Sequence, residues 1–464
     1  MNHSDSERFA TVVEEIGYEP TASYTEADLI VFNSCSVRQK AEDRIWGLGK
    51  KMNSLKEKNP DLKLILTGCM ARRTWKGASK TGSPIQMTQQ SREDELKEQM
   101  PWIDIVIETK DFGKLPQKLG IKQEINDSPE HYLSYTPMYK NDFQAFVPIS
   151  TGCDHFCTYC IVPFSRGGEV CRDASSIISE IEELVAKGYK DITLLGQTVN
   201  RWINPIYDEE IKKGLIANTR IPELNTKLMK TPLCDDPKDF LQLLQRLDEI
   251  EGEWWMTFVS SHPNYMTEEL ILFLSNSNHF RPYLHFALQS GSDHILKRMN
   301  RRHDIDEFIE KTLKFKEIIP GVGISTDVIV GFPGETEADF METAKVMEQL
   351  EFDMAFLSEF SPRSGTAAAL VKDNIEHKEK ERRKTYLNDE VLAKTALKNN
   401  EKMVGTKQKV LVERYNEQYK QLHGRTGNFK ETRIINSQDK KLVGEFVEVE
   451  IISCSPWALE AKII

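Results

Sequence analysis

The sequence has no long apolar run. Nowhere does it approach the roughly 18 consecutive apolar residues that a membrane-spanning helix requires. Its opening, MNHSDSERFA, holds neither an apolar signal core nor a basic leader. These absences argue against a membrane protein and for a cytoplasmic one. Cysteine is scarce, 8 residues in 464, which excludes a disulfide scaffold. In a reducing compartment, clustered thiols serve metals or catalysis instead. An excess of basic charge is also missing: 61 Lys and Arg face 72 Asp and Glu, a net charge of −11. A wholly basic nucleic-acid binder is excluded, whereas a local basic surface is not.

What is present is an ordinary globular composition, 39% apolar and 29% charged. At roughly 150 residues per domain, the length suggests about three domains. Residues 1–120 read as an α/β unit. Helical spacing places Phe9, Val12, Val13 and Ile16 on one side, and a second helix is expected over Ala41 to Lys56. Short apolar runs at Leu29 to Phe32, Leu62 to Leu66 and Ile103 to Ile107 predict strands. Cys35 and Cys69 each follow a strand, at the carboxyl end where open α/β sheets hold ligands. The polar stretch Arg72 to Arg92, within an insertion near 72–97, reads as a loop. Residues 121–140 read as a linker.

From residue 139 to 395, strand and helix patterns alternate. Six strands are expected, at 146–149, 191–195, 255–259, 284–288, 322–330 and 354–360. That count suggests a parallel barrel with six of the eight strands of a full one. Residues 203–236 read as a second insertion, and Lys378 to Lys402 as a solvated charged helix. Residues 398–464 carry short strand patterns, with turns expected at Gly424 to Gly427 and at Val443-Gly444, which together predict a small β-barrel. Over 401–464 there are 11 basic and 9 acidic residues, a sign that suits RNA. Lys407, Lys409 and Arg425 are candidates for phosphates, and Phe429 for stacking on a base.

The sharpest signal is Cys153-x-x-x-Cys157-x-x-Cys160, directly after the first barrel strand. Soft thiolates suit iron–sulfur clusters or zinc. A structural zinc site closes with four ligands, whereas three thiolates on a four-iron cluster leave one iron open to a small molecule. A zinc knuckle with a distant fourth ligand is the alternative. Cys171, Cys234 and Cys454 lie in unrelated segments and read as plain thiols.

The text CDHFCTYC at 153–160 resembles the cluster motif of radical S-adenosylmethionine enzymes. The resemblance runs along nearly the whole chain. Asn33 to Arg38, Gly68-Cys69, Ile161 to Gly167, Leu195 to Gln197, Ser260 to Pro263, Gln289 to Ser292 and Gly331 to Thr336 are similar to the methylthiotransferase family. The Cys-Ser-Val-Arg and Cys-Thr-Tyr-Cys-Ile-Val-Pro-Phe texts most resemble its tRNA adenosine-37 branch, which makes 2-methylthio-N6-(dimethylallyl)adenosine. The resemblance implies an N-terminal cluster-binding domain, a partial (β/α)6 radical barrel and a C-terminal TRAM-like RNA-binding β-barrel. It implies S-adenosylmethionine and a [4Fe-4S] cluster on Cys153, Cys157 and Cys160, which together yield a 5′-deoxyadenosyl radical. It further implies a second, auxiliary [4Fe-4S] cluster that supplies sulfur. Cys35 and Cys69 are two of its ligands. The third is expected just before Met1-Asn2-His3-Ser4-Asp5-Ser6-Glu7, so the chain is expected to start at or just after that cysteine, through a late or truncated start. The implied partners are the tRNA anticodon stem-loop, a sulfur donor, and an electron donor such as flavodoxin or ferredoxin.

Further residues are candidates for the cofactor. Gly167, Gly168 and Glu169 could approach it with backbone groups or form an ordinary turn. Gln197 stands at a strand end, where the family's usual Asn is replaced by Thr198. Gln289 and Asp327 lie on later strands, and a carboxylate inside a barrel needs a partner, such as a ribose hydroxyl. His285 is either a site residue or a satisfied core histidine. The loop Gly331 to Thr336 lacks the lysine of a phosphate loop. Arg363 could meet the cofactor or RNA phosphate, or be a surface arginine. Other readings are the same chemistry on threonylcarbamoyl-adenosine tRNA or on a ribosomal protein, and a non-catalytic iron–sulfur RNA-binding protein.

Overall fold

The structure, a computed structural model, describes residues 1–36, 39–71, 75–78, 84–86, 89–122, 131–207 and 236–464. The chain divides into two compact units. One comprises Met1–Lys140, Ser150–Val170 and Ser361–Lys372; the other comprises Asn141–Ile149, Cys171–Phe360 and Asp373–Ile464.

The first unit is built on a three-stranded parallel sheet, β1 (Leu29–Asn33), β2 (Lys63–Thr67) and β3 (Ile105–Val106), in chain order. Side chains alternate across a strand. Leu64, Leu66 and Val106 therefore join Met52, Met100 and Trp102 on one face. Ile65 and Ile105 join Phe9, Val12 and Phe112 on the other. Each such fully buried side chain contributes about 1.5–3 kcal/mol. The first helix spans Asn2–Glu15, and beyond its apolar stripe it buries Ser4, Asp5, Glu7 and Arg8. The single helix expected over 41–56 is two helices, Gln39–Trp46 and Gly49–Lys58, separated at Gly47 and Leu48. Parts of the expected loop 72–92 form regular elements. Trp75–Ala78 and Pro84–Gln86 pair antiparallel, and a helix begins at Gln89. Most of the second insertion, with Cys234, and the middle of the 121–140 linker lie outside the described residues.

The second unit holds the six expected parallel strands: β4 (Gln144–Pro148), β5 (Asp191–Leu195), β6 (Trp255–Phe258), β7 (Tyr283–His285), β8 (Gly323–Val330) and β9 (Met354–Glu359). They pair in sequence order. The parallel bridges Met256–Phe280 and Ser261–Phe286 join the two triplets. Helices lie between the strands. Asp173, Asp239, Thr267, Asp304 and Thr336 cap five of them by accepting a hydrogen bond from a first-turn backbone N–H. Each cap contributes about 1 kcal/mol.

A closed five-stranded barrel follows, built from Lys407–Asn416, Gln421–Thr426, Glu431–Ile434, Phe446–Cys454 and Leu459–Ile463. Gly424 to Thr426, expected as part of a turn, lie inside its second strand. The reason is close packing: a Cβ on Gly424 would meet the Leu411 carbonyl oxygen at 2.1 Å. This barrel docks on the amino-terminal ends of the parallel strands, away from their carboxyl ends. Arg281, fully buried, donates to Asp191 at 2.9 Å and to the Thr426 carbonyl at 2.8 Å. Its guanidinium lies 4.5 Å from the ring centres of both Trp255 and Phe429. Phe429 also stacks on Tyr283, while Lys409 pairs with Glu253 and Arg425 with Glu413. Of the four residues proposed to meet RNA, Lys409, Arg425 and Phe429 thus already have partners within the protein. The charged segment 378–402 is likewise no free connector. It runs as His377–Tyr386, a π-helical turn Leu387–Leu392 and Ala393–Glu401, burying Lys380, Arg383, Leu387, Leu392 and Ala396.

Candidate active site

In the first unit, the loop holding Cys153, Cys157 and Cys160 is shaped by glycine. Gly152 has φ +75°, and a Cβ there would meet the Gly168 carbonyl oxygen at 2.0 Å. The Cys153 N–H donates to the Gly167 carbonyl at 3.1 Å, and the Cys160 N–H to the Cys157 carbonyl at 2.9 Å. The His155 N–H points at the Cys153 Sγ, 3.4 Å away. Glu169 is held by its backbone N–H on Asp154, at 3.0 Å. Gly167 and Gly168 therefore cradle the turn before Cys153. Arg363 also belongs to this unit, and it is buried rather than a surface arginine.

Cys35 and Cys69 occupy neighbouring loops beyond β1 and β2. The Ser34 N–H donates to the Thr67 carbonyl at 3.1 Å, and Met70 N–H returns to the Ser34 carbonyl at 3.2 Å. Gly68, at φ +84°, faces Asn33, whose side-chain oxygen would lie 2.2 Å from an added Cβ. Val37 and Arg38 lie outside the described residues. The Met1 amino group is buried, and that burial lowers its pKa. Asp5, Arg166, Cys69 and Cys35 act on it electrostatically. The start of the first helix adjoins the end of β1, where Asn33 Nδ2 donates to the Asn2 carbonyl at 2.7 Å. A cavity of about 200 Å³ in this unit is lined by Glu108, Tyr132, Leu133, Arg166, Gly167 and Gly168, among others.

In the second unit, Gln197, Gln289 and Asp327 sit on three of the parallel strands or just past them. Gln197 is half-buried just beyond β5. Gln289 adopts φ +69° and Ser260 φ +67°, rare for residues with a side chain. The Gln289 N–H donates to the Asp327 carbonyl at 2.8 Å. The Asp327 carboxylate is 38% exposed and lies 3.4 Å from His285 Nε2, so it is open to a further partner. His285 Nδ1 accepts from the Ser260 N–H at 3.3 Å, which leaves the proton on Nε2. Burial lowers the His285 pKa, with Asp327 opposing. The loop Gly331 to Thr336 is fastened from within. Glu335 accepts from the Gly331 N–H at 2.6 Å and from Arg383 at 2.7 Å, and the Lys380 stem would lie 2.3 Å from a Cβ on Gly331.

Comparison with known proteins agrees with this geometry. Residues 147–347 match the Radical SAM superfamily, residues 1–108 the Uncharacterized protein family UPF0004, and residues 401–464 the TRAM domain. The chain is 36% identical over its whole length to a tRNA-2-methylthio-N(6)-dimethylallyladenosine synthase of Clostridium perfringens, covering 95% of that relative. It is 37% identical to the synthase of the same name from Clostridium novyi and 36% to that from Clostridium tetani, each over all of this chain and 94% of the relative. The chain belongs to the methylthiotransferase family of radical S-adenosylmethionine enzymes.

A radical S-adenosylmethionine methylthiotransferase requires a [4Fe-4S] cluster and S-adenosylmethionine. The donor set fits the cluster. None of the seven described cysteines is in a disulfide, and three stand in one glycine-shaped loop. Among the described residues, no three His, Cys, Asp or Glu side chains converge as one metal ion needs. A four-iron cluster does not need that convergence, because each of its protein ligands meets a different iron. No helix among the described residues is long and apolar enough to cross a membrane. Sequence reasoning missed Asp5 and Tyr132, and it missed what Arg166 does. The Asp5-Ser6-Glu7 text served only to locate a cysteine, and nothing in a helical pattern announces that its polar first turn is buried.

Proposed function

We propose that this methylthiotransferase adds a methylthio group to C2 of N6-(dimethylallyl)adenosine at position 37 of tRNA. One observation carries the reading. The three-thiol loop Cys153-Cys157-Cys160 stands in a chain that aligns end to end with synthases named for that product. The domains are 1–120 for the auxiliary cluster, 139–395 for the radical core and 398–464 for RNA.

Cys153, Cys157 and Cys160 would hold the radical cluster. When bound, that cluster and S-adenosylmethionine supply one-electron cleavage and a radical able to take hydrogen from an unactivated carbon. Such chemistry suits adenine C2, which ordinary acid–base attack does not reach. The chain's own groups bind and orient. Gly167, Gly168 and Glu169 offer backbone close to the cysteine loop. Gln197 and Gln289 supply amide groups at strand ends, and Arg363 a cation. The Asp327 carboxylate accepts ribose hydroxyls, with the neutral His285 fixing one of its oxygens. Cys35 and Cys69 would hold the auxiliary cluster, which would carry the sulfur on its way to the substrate. A flavodoxin or ferredoxin supplies electrons, a separate donor supplies sulfur, and the reaction takes place in the cytoplasm.

The test is anaerobic reconstitution followed by incubation with dimethylallylated tRNA and S-adenosylmethionine under reduction. The expected result is 5′-deoxyadenosine together with the 2-methylthio nucleoside in the tRNA digest. Iron near eight per chain would mean both clusters assemble, and near four only the radical one. A protein that binds no iron would end the radical reading.

A further inference from the structure

Arg166 is a buried cation for which the proposed chemistry gives no role. Its side chain is 4% exposed, and that of its partner Asp5 is 0% exposed. Arg166 Nη2 donates to Asp5 Oδ2 at 2.5 Å and to Asn2 Oδ1 at 3.0 Å. The other Asp5 oxygen accepts from the Tyr132 hydroxyl. From Asn2 the network continues to the N-terminal cysteines. Asn33 Nδ2 donates to the Asn2 carbonyl at 2.7 Å, and Asn33 itself packs against Gly68, next to Cys69. On the other side, the residue after Arg166 accepts the Cys153 N–H at 3.1 Å. One guanidinium thus stands within a step of each cysteine loop. Burial opposes its charge, yet Asp5, then Cys69 and Tyr132, raise its pKa well above the usual value.

A buried ion pair is a costly way to join two loops, and apolar residues often do as well or better. What the pair does and apolar packing cannot is place two cancelling charges beside the thiols. In a low-dielectric interior an uncompensated charge acts over several ångströms, and local charge sets the potential of an iron–sulfur cluster. We propose that Arg166 and Asp5 are positioning residues, a compensated pair that fastens the two cysteine loops together and holds the reduction potential of the cluster chemistry they carry. The proposal rests on the reading that Cys153, Cys157 and Cys160 bind a cluster.

Removing either member leaves a net charge of opposite sign. Asp5→Asn leaves a bare cation, which favours the more negative, reduced cluster and moves the midpoint potential up. Arg166→Gln leaves a bare carboxylate and moves it down. The double variant removes both charges and returns the potential toward that of the unaltered chain. The experiment is a potentiometric titration of the reconstituted full chain, read by electron paramagnetic resonance with iron content measured in parallel. The expected result is opposite shifts in the single variants. Each changes the ratio of reduced to oxidised cluster about tenfold at fixed potential, equivalent to about 59 mV for one electron. If Arg166→Gln does not fold, Asp5→Asn and the double variant carry the test, as an upward shift that the second change reverses. Shifts of the same sign, no shift, or a double variant that fails to reverse the first would overturn the proposal. Absence of iron from the unaltered chain would instead overturn the reading it rests on.

Discussion

Replacing Gly152 by alanine should disable the three-cysteine loop while leaving the protein folded. The added Cβ would lie 2.0 Å from the Gly168 carbonyl oxygen and 2.8 Å from that of Gly167. Both neighbours are backbone, so no side chain can swing aside, and the two segments must separate by more than an ångström. Separation breaks the Cys153 N–H bond to Gly167, worth about 1 kcal/mol. A side chain at φ +75° adds roughly 1–2 kcal/mol. Together these come to about 2–3 kcal/mol against the loop conformation that presents the three thiols. Its population should fall by roughly 30- to 150-fold, at a factor of ten per 1.4 kcal/mol. The assay is iron content after reconstitution and the rate of 5′-deoxyadenosine release. Gly188→Ala is the control. Gly188 also has positive φ, +91°, but an added Cβ has nothing within 4 Å. It should cost about 1 kcal/mol of stability and leave both readouts unchanged. Full iron and an unaltered cleavage rate in Gly152→Ala would refute the argument.

Other outcomes follow from the same geometry. Cys153→Ser should abolish S-adenosylmethionine cleavage, whereas Cys171→Ser should leave it near the unaltered rate; loss in both would remove the distinction between cluster ligand and plain thiol. Thr336→Ala removes a reciprocal cap with Asp339 and should lower stability by about 1 kcal/mol, read as a fall in Tm with cleavage chemistry retained. Burial, then Arg301 and Lys311, push the His303 pKa down to about 3. The unfolded chain therefore binds this proton first, and stability should fall as pH drops from about 6.5 toward 3, by up to ~1.4 kcal/mol per pH unit. In urea titrations across that window, His303→Gln should show a shallower slope, and an unchanged slope would count against the assignment.

Much of this was legible in the residues. The alternation of short strand patterns with helical ones placed all six barrel strands within a few positions. The spacing of Cys153, Cys157 and Cys160 was the first pointer to the radical S-adenosylmethionine class, which the match over residues 147–347 shows. Elsewhere local pattern misled for identifiable reasons. The charge of 378–402 suggested solvent, but Lys380 and Arg383 spend theirs on Asp373 and Glu335. Gly424 and Gly427 suggested a turn, but the first is demanded by a neighbouring strand. Phe429 suggested a base-stacking platform, but its ring already stacks on Tyr283 and lies 4.5 Å from the guanidiniums of Arg281 and Arg425.

The sequence by itself determined most of the elements and their order along the chain, and it singled out the clustered cysteines, because these rest on periodicity and on short-range spacing. Only the tertiary structure decided which groups separated by more than a hundred residues share a site. Asp5, Tyr132 and Arg166 meet in one buried network, and the C-terminal barrel closes on the amino-terminal ends of the parallel strands. Neither is written in local pattern. A buried charge requires a partner wherever the fold can bring one, and the chain does not mark which partner that will be.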